Sequence, residues 1–322
     1  MNPPALPLKL LFFGTPEFAL PSLQILIDSG HTPLLVITQL DKIRGRGTAP
    51  SPTPVNLLAQ KYQIPVITPE NVNAPEALAL FQQHQPDLFL TVAYGQIFRN
   101  AFLAIPRLGT LNVHASLLPT YRGSAPYQWA LLRGEKQTGI TIIEVVRKLD
   151  AGAMLKQSVL PIFPQDTGDS LAERLATLGG KLLLETVIDY EAGTVQKKAQ
   201  NESDASQYNR FVKEDGLLQW NHSATELERF IRGMQPWPKA QTSSPEHPTK
   251  EVLLLDSRVV SKQGKPGEIL QFDKQGILIA CGKDTLEILR LQVAGKKAMD
   301  AKAFVNGNHW HIGQFLGKQD DC

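Results

Sequence analysis

The 322-residue chain has little cysteine, with only Cys281 and Cys322, far apart and the second at the very end. That count excludes a disulfide framework, and the spacing does not suit a thiolate metal site. A reducing, cytoplasmic compartment is the expectation, with Cys281 as a small buried hydrophobe. No apolar run approaches the roughly 20 residues that a membrane-spanning helix needs. The first residues, Met1-Asn2-Pro3-Pro4-Ala5-Leu6-Pro7, lack the cationic start of a secretory signal and read as a disordered leader. Charge of one sign is also missing: 33 Lys and Arg stand against 31 Asp and Glu. From Gln207 onward the balance is 16 basic to 14 acidic, so any polyanion must be held by local patches and not by overall charge. The seven histidines have no ligand spacing with carboxylates or thiols, so no metal is implied. Gly14-Thr15-Pro16 follows an apolar run as a nucleotide-binding turn would, but no G-x-G-x-x-G is present and a dinucleotide is not supported.

What is present is an alternation. Apolar runs at 9–13, 33–38, 65–67 and 88–92 are separated by helical periodicities at 16–27, 55–62 and 76–84. Strands alternating with helices predict parallel βαβ units in a doubly wound, mostly parallel sheet, where ligands sit at the carboxyl ends of strands near a switch point. Further helices are expected at 127–133 and 170–190, the longer one burying Leu171, Leu175, Leu178, Leu182 and Leu183. The polar stretch 196–206 suits a linker. Beyond 207 come a helix at 224–233 and then short strand-like runs with turns between them, the texture of a small β domain. The expected organisation is a leader at 1–7, a catalytic domain at 8–195, a linker at 196–206 and a second domain at 207–322. Trp237, between two prolines, is expected to be an interdomain packing anchor.

The most distinctive string is Asn112-Val113-His114-Ala115-Ser116-Leu117-Leu118-Pro119-Thr120-Tyr121-Arg122-Gly123-Ser124-Ala125-Pro126. In a strand, residues two apart face the same way, so Asn112 and His114 point together while Val113 faces the opposite side. Later comes Leu149-Asp150-Ala151-Gly152, an acid in a glycine-containing loop. An amide and an imidazole can both donate to an oxyanion, and a carboxylate can orient the imidazole and favour its charged form. Taken singly, each residue also has an ordinary reading: Asn112 as a turn former, His114 as a hydrogen-bonded strand end, Asp150 as a loop acid. Arg122 is open between meeting an acidic group and anchoring its own loop.

That string resembles the folate-binding and catalytic signature of the 10-formyltetrahydrofolate-dependent formyltransferases. Leu11-Phe12-Phe13-Gly14-Thr15-Pro16-Glu17-Phe18 is similar to the family's first strand and turn, and Ala93-Tyr94-Gly95 to a folate-pocket turn. Thr38-Gln39, Gly45-Arg46-Gly47 and Pro50-Ser51-Pro52 resemble a loop inserted by the members that act on methionyl-tRNA. Leu218-Gln219-Trp220, Glu228-Arg229-Phe230-Ile231-Arg232, Pro236-Trp237-Pro238 and Ala294-Gly295-Lys296-Lys297-Ala298-Met299 resemble the C-terminal part of those same members. The resemblance runs from about residue 8 to about residue 306.

It implies a Rossmann-like formyltransferase domain followed by an OB-like β-barrel that binds tRNA. The implied activity moves the formyl group of 10-formyltetrahydrofolate to the α-amine of methionyl-initiator-tRNA, on a monomer that uses no metal or membrane. Asn112, His114 and Asp150 are then catalytic. Ser116, Leu117, Leu118, Pro119, Tyr94 and Gly95 line the folate pocket, and Arg44, Arg46, Lys296 and Lys297 meet the tRNA. The rivals are a formyltransferase acting on a sugar nucleotide or another small amine, a folate- or RNA-binding module without catalysis, and a formylfolate hydrolase. Two places depart from the family pattern: Thr48 and Ala49 stand where lysines are common, and Val145-Val146-Arg147-Lys148 replaces an M-D-x-G.

Overall fold

A computed structural model of the chain describes residues 7–40, 42–43, 50–246, 249–307 and 310–317. The leader at 1–7 thus lies outside the described residues except for Pro7, as does Cys322. The chain divides into two compact units. One comprises Met1–Pro126, Gln137–Pro161 and Ala172–Tyr208, and the other Tyr127–Lys136, Ile162–Leu171 and Asn209–Cys322.

The first unit is built on seven strands: β1 (Leu10–Gly14), β2 (Leu35–Ile37), β3 (Val66–Ile67), β4 (Leu88–Val92), β5 (Thr110–His114), β6 (Gln137–Glu144) and β7 (Met154–Pro161). Their spatial order is β7-β6-β5-β4-β1-β2-β3. The pairs among β1 to β5 are parallel, and β6 pairs antiparallel with both β5 and β7. Every residue of β1 (LLFFG) and β4 (LFLTV) is buried, as expected for parallel strands covered on both faces. The chain moves outward from β1 through β2 to β3, then returns to the other side of β1 as β4. The topological switch therefore falls between Gly14 and Val92, which are register partners.

Helices cover both faces. On one, Phe81 of α3 (Pro75–Gln83) and Phe102 of α4 (Asn100–Leu103) join Phe13 and Phe89 in an aromatic cluster, with Phe13 and Phe102 ring centroids 5.1 Å apart. On the other runs α6 (Gly168–Ala192), reached after α1 (Leu20–Asp28), α2 (Pro54–Lys61) and α5 (Pro126–Arg133). Two glycines in mid-helix weaken α6 intrinsically, but here they allow close packing. A Cβ on Gly179 would lie 2.7 Å from Val113 Cγ1, and one on Gly180 would lie 2.9 Å from the Pro21 carbonyl oxygen. The expected buried stripe of α6 holds at Leu171, Leu175, Leu182 and Leu183. Leu178 is only half-buried because the glycines take the innermost position.

In the second unit, α7 (Ala224–Gly233) starts at a capping box in which Ser223 and Glu226 bond each other's backbone N–H. It packs on an antiparallel sheet of β8 (Ala240–Ser243), β9 (Glu251–Val260), β10 (Ile269–Asp273), β11 (Gly276–Ala280) and β12 (Thr285–Val293), in the order β8-β9-β12-β11-β10. Met299–Asp300 pairs on β12, ahead of the short helix Ala301–Val305. Strand pairing alone leaves the sheet open. Residues 314–317 link its two edges: the Ile269 N–H reaches the Gln314 carbonyl (2.8 Å), and the Gly317 N–H reaches the Ser243 carbonyl (3.3 Å).

Trp220, Ile269, Ile279, Leu286 and Phe304 centre the core of this unit. Cys281 lies in it as expected, its thiol pushed up to about 12 by burial. Trp237 is 47% exposed, while Trp220 is buried and donates from Nε1 to Thr242 Oγ1 at 3.2 Å.

Candidate active site

The strand β5 ends on the catalytic candidates. Val113 is buried against α6, so Asn112 and His114 turn to the opposite face, at the carboxyl end of the aromatic cluster. His114 is 5% exposed. Its Nε2 lies 2.9 Å from the Tyr121 carbonyl oxygen, which can only accept, so Nε2 carries a proton. The other ring nitrogen, Nδ1, faces Asp150 Oδ2 at 3.7 Å. This is too long for a hydrogen bond, but it sets the carboxylate against the imidazole edge.

Asp150 sits at φ +49, a left-handed conformation that a non-glycine residue holds only under constraint. The constraints are visible. Its Oδ2 accepts the Gly123 N–H at 2.8 Å, and its carbonyl accepts from Gln200 Nε2 at 2.7 Å. Gln200 Nε2 also donates to the Gly152 carbonyl at 2.8 Å. Both glycines are required. A Cβ on Gly152 would stand 1.8 Å from the Glu144 carbonyl oxygen, and one on Gly123 (φ +99) would stand 2.2 Å from that of Tyr208.

Arg122 anchors its loop and meets an acid in doing so. It is 4% exposed, and its Nε and Nη2 donate to Gln200 Oε1 at 3.0 and 2.8 Å. Nη1 and Nη2 fork onto Glu202 Oε2 and Oε1 at 3.1 and 3.0 Å. Lys148, part of the departure at 145–148, binds the same carboxylate at 2.6 Å. The Arg122 hydrogen bonds first, and Lys148 second, hold the Glu202 carboxyl down at about 2. Arg122, Lys148, Gln200 and Glu202 thus tie the loops that carry Gly123 and Asp150 to the polar stretch at 196–206.

The S-L-L-P loop is braced from within. Ser116 is fully buried, and its hydroxyl donates to the Thr120 carbonyl at 2.7 Å. The carbonyls of Ser116, Leu117 and Leu118 accept from Thr141, Thr120 and Gln157. Leu118 is 3% exposed, so the apolar surface left open on this loop is that of Leu117 and Pro119. The turn at 93–95 has positive φ at Ala93 and Gly95, which leaves those two exposed while the Tyr94 ring is buried. The ring stacks on Phe98 at 5.9 Å, and burial raises its hydroxyl far above the usual range. Thr15 and Gln39 donate to the Tyr94 carbonyl, both at 3.1 Å, so the turn is fixed at the switch point. Any ligand contact there falls to the backbone of the turn and not to the tyrosine ring.

Asn112 is half-buried, with Oδ1 2.9 Å from the Thr91 hydroxyl. Lys296 and Lys297 are exposed on a turn of the second unit, where Gly295 has φ +77. Arg44 and Arg46 lie outside the described residues, with Thr48 and Ala49. The first unit therefore brings Asn112, His114 and Asp150 together. Thr91 and Gln200 carry no signal in the sequence, whereas Gly123 does, in the R-G step of the motif.

Two family profiles give the class. "Formyl transferase" matches residues 8–187, and "Formyl transferase, C-terminal domain" matches residues 210–309. Among curated proteins, the Methionyl-tRNA formyltransferase of Geobacter metallireducens is 39% identical over 310 residues, covering 96% of this chain and 99% of the relative. That of Pseudomonas syringae pv. tomato is 40% identical over 314 residues, covering 97% and 99%. The chain belongs to the methionyl-tRNA formyltransferase family.

Solved structures share the fold at lower identity. HypX from Aquifex aeolicus, in complex with tetrahydrofolic acid, has a TM-score of 0.64 at 17% identity. The match covers 98% of this chain and 51% of HypX. WlaRD, a sugar 3N-formyl transferase, has a TM-score of 0.65 at 16% identity, covering 91% and 100%.

Proposed function

We propose that this chain transfers the formyl group of 10-formyltetrahydrofolate to the α-amine of methionyl-initiator-tRNA, yielding formylmethionyl-tRNA and tetrahydrofolate. The observation that carries the reading is the convergence of Asn112, His114 and Asp150 at the carboxyl edge of the parallel sheet, in a chain that matches its family through the C-terminal domain. Near-full-length similarity to proteins named methionyl-tRNA formyltransferase favours a tRNA-linked amine over a sugar nucleotide.

The site residues suit the donor. A flat pterin is held by apolar walls and oriented by a few polar groups. Leu117 and Pro119 supply the open apolar walls beside the buried Leu118, and the exposed backbone of Ala93 and Gly95 supplies the polar edge. Ser116 serves the pocket by bracing its loop.

The reaction is acyl transfer. The amine lone pair attacks the formyl carbon, negative charge gathers on the formyl oxygen, and the bond to the folate nitrogen then breaks. Asn112 donates to that oxygen, and His114 adds a second donor. Through Nδ1 and the Asp150 carboxylate, directly or through water, the pair moves a proton from the attacking nitrogen to the leaving one. No serine or cysteine nucleophile takes part, so no covalent enzyme intermediate forms.

Arg44 and Arg46 meet the acceptor stem, and Lys296 and Lys297 the tRNA body, by pairing with phosphates. The protein works as a monomer in the cytoplasm. Supporting this compartment are the scarcity of cysteine and the fact that, among the described residues, no helix is long and apolar enough to cross a membrane.

Incubation with 10-formyltetrahydrofolate and charged initiator tRNA, uncharged tRNA or free methionine tests the assignment. Formylation of the charged tRNA alone is expected. Equal formylation of free methionine would overturn the substrate.

A further inference from the structure

The Thr91 hydroxyl is buried at the end of β4, directly beside Asn112 in the neighbouring strand; the two residues are register partners. It lies 2.8 Å from the Leu111 carbonyl oxygen and 2.9 Å from Asn112 Oδ1. A hydroxyl has one proton and these are two acceptors, so the proton's destination has a consequence for the carboxamide. Donated to Asn112 Oδ1, it ties off the amide oxygen and leaves the NH2 end facing outward. Donated only to Leu111, it leaves the hydroxyl able to accept, which draws the NH2 inward and turns the amide oxygen toward the cleft. A carbonyl oxygen there would repel a developing oxyanion, whereas an NH2 stabilises it.

We infer that Thr91 is a positioning residue for this reaction: its hydroxyl donates to Asn112 Oδ1 and so selects the carboxamide orientation that presents Nδ2 to the formyl oxygen. This inference rests on the formyl-transfer reading. The geometry supports it on three counts. Thr91 is 2% exposed, so its hydroxyl is enclosed by protein. The register fixes both side chains on one face of the sheet. Among the described residues, nothing else hydrogen-bonds the Asn112 amide, so Thr91 is its sole tether.

The test is Thr91→Val, which keeps the shape and removes the hydroxyl, alongside Thr91→Ser, which restores it. Complete loss of an oxyanion donor lowers kcat by about 10²–10³, so a donor present but free to turn should lower it by about tenfold. For Thr91→Val, kcat should fall about tenfold, with KM for 10-formyltetrahydrofolate and methionyl-tRNA within about twofold of wild type. Thr91→Ser should recover most of kcat.

Isotope-edited NMR of the Asn112 side-chain NH2 gives a readout independent of turnover. Its two proton resonances should be sharp and separate in the wild type and in Thr91→Ser, and broadened or shifted in Thr91→Val. Unchanged kcat and NH2 resonances in Thr91→Val would overturn the inference, as would an equal loss in Thr91→Ser. A wild-type protein that does not formylate methionyl-tRNA would instead overturn the functional reading, and the NMR comparison would still decide the tether.

Discussion

Replacing Gln200 by alanine removes four hydrogen bonds at one stroke, and each has a named partner. Two are donated, to the carbonyls of Asp150 and Gly152, and two are accepted, from Nε and Nη2 of Arg122. A neutral hydrogen bond is worth about 1 kcal/mol net, and one to a charged group about 1.5–3 kcal/mol. Glu202 still neutralises Arg122 after the change, and water reaches a half-buried site, so the loss should be about 3 kcal/mol.

For a unit of this size, each kcal/mol moves Tm by about 2–4 °C, which gives a fall of roughly 6–12 °C. The catalytic consequence is separate. Asp150 is held at φ +49 in part by its carbonyl bond to Gln200. Without that bond the residue can relax, and its carboxylate is no longer fixed opposite His114 Nδ1. Turnover should fall by about 10–100-fold, as for displacement of a group that assists proton transfer. Scanning calorimetry and steady-state formylation, run on one preparation at a temperature where the variant is folded, measure both effects. A Tm within about 1 °C of wild type together with unchanged kcat would refute the claim that this side chain ties the two loops.

Gly152→Ala should be more disruptive, because its Cβ would fall 1.8 Å from the Glu144 carbonyl oxygen and break the turn that carries Asp150. A loss of about 3 kcal/mol or more in urea unfolding is expected, and an unchanged midpoint would contradict it. Glu202 gives a pH signature. Its folded-state carboxyl titrates at about 2 against an ordinary 4.5, so its contribution to stability is complete above pH 4.5 and disappears as pH falls towards 2. The stability difference between wild type and Glu202→Gln should therefore be constant above 4.5 and shrink below it. A difference that grows in acid would show the sign to be wrong.

Much of the first unit is legible in sequence because its strands are buried on both faces. Runs such as Leu10-Leu11-Phe12-Phe13 and Leu88-Phe89-Leu90 admit few other readings once helices alternate with them. The strand-end pair Asn112 and His114 was legible for a similar reason, since the two-residue period fixes which side chains travel together. The supporting groups were not. Gln200 lies in a polar stretch whose composition suits a linker, yet its side chain serves two backbone carbonyls and an arginine from distant segments. Tyr94 looks like a pocket residue in sequence, but the positive φ at Ala93 and Gly95 turns its ring into the aromatic core. Closure of the second unit's sheet depends on residues 314–317, which have no strand-like pattern and bond both edges through their backbone.

The central claim is that the imidazole of His114, set between the Tyr121 carbonyl and the Asp150 carboxylate, serves formyl transfer directly. Single-turnover formylation of methionyl-tRNA by His114→Ala, at saturating 10-formyltetrahydrofolate, tests it. The expected rate is lower by about 10³-fold or more, with the fold intact by circular dichroism. A rate within tenfold of wild type would contradict it.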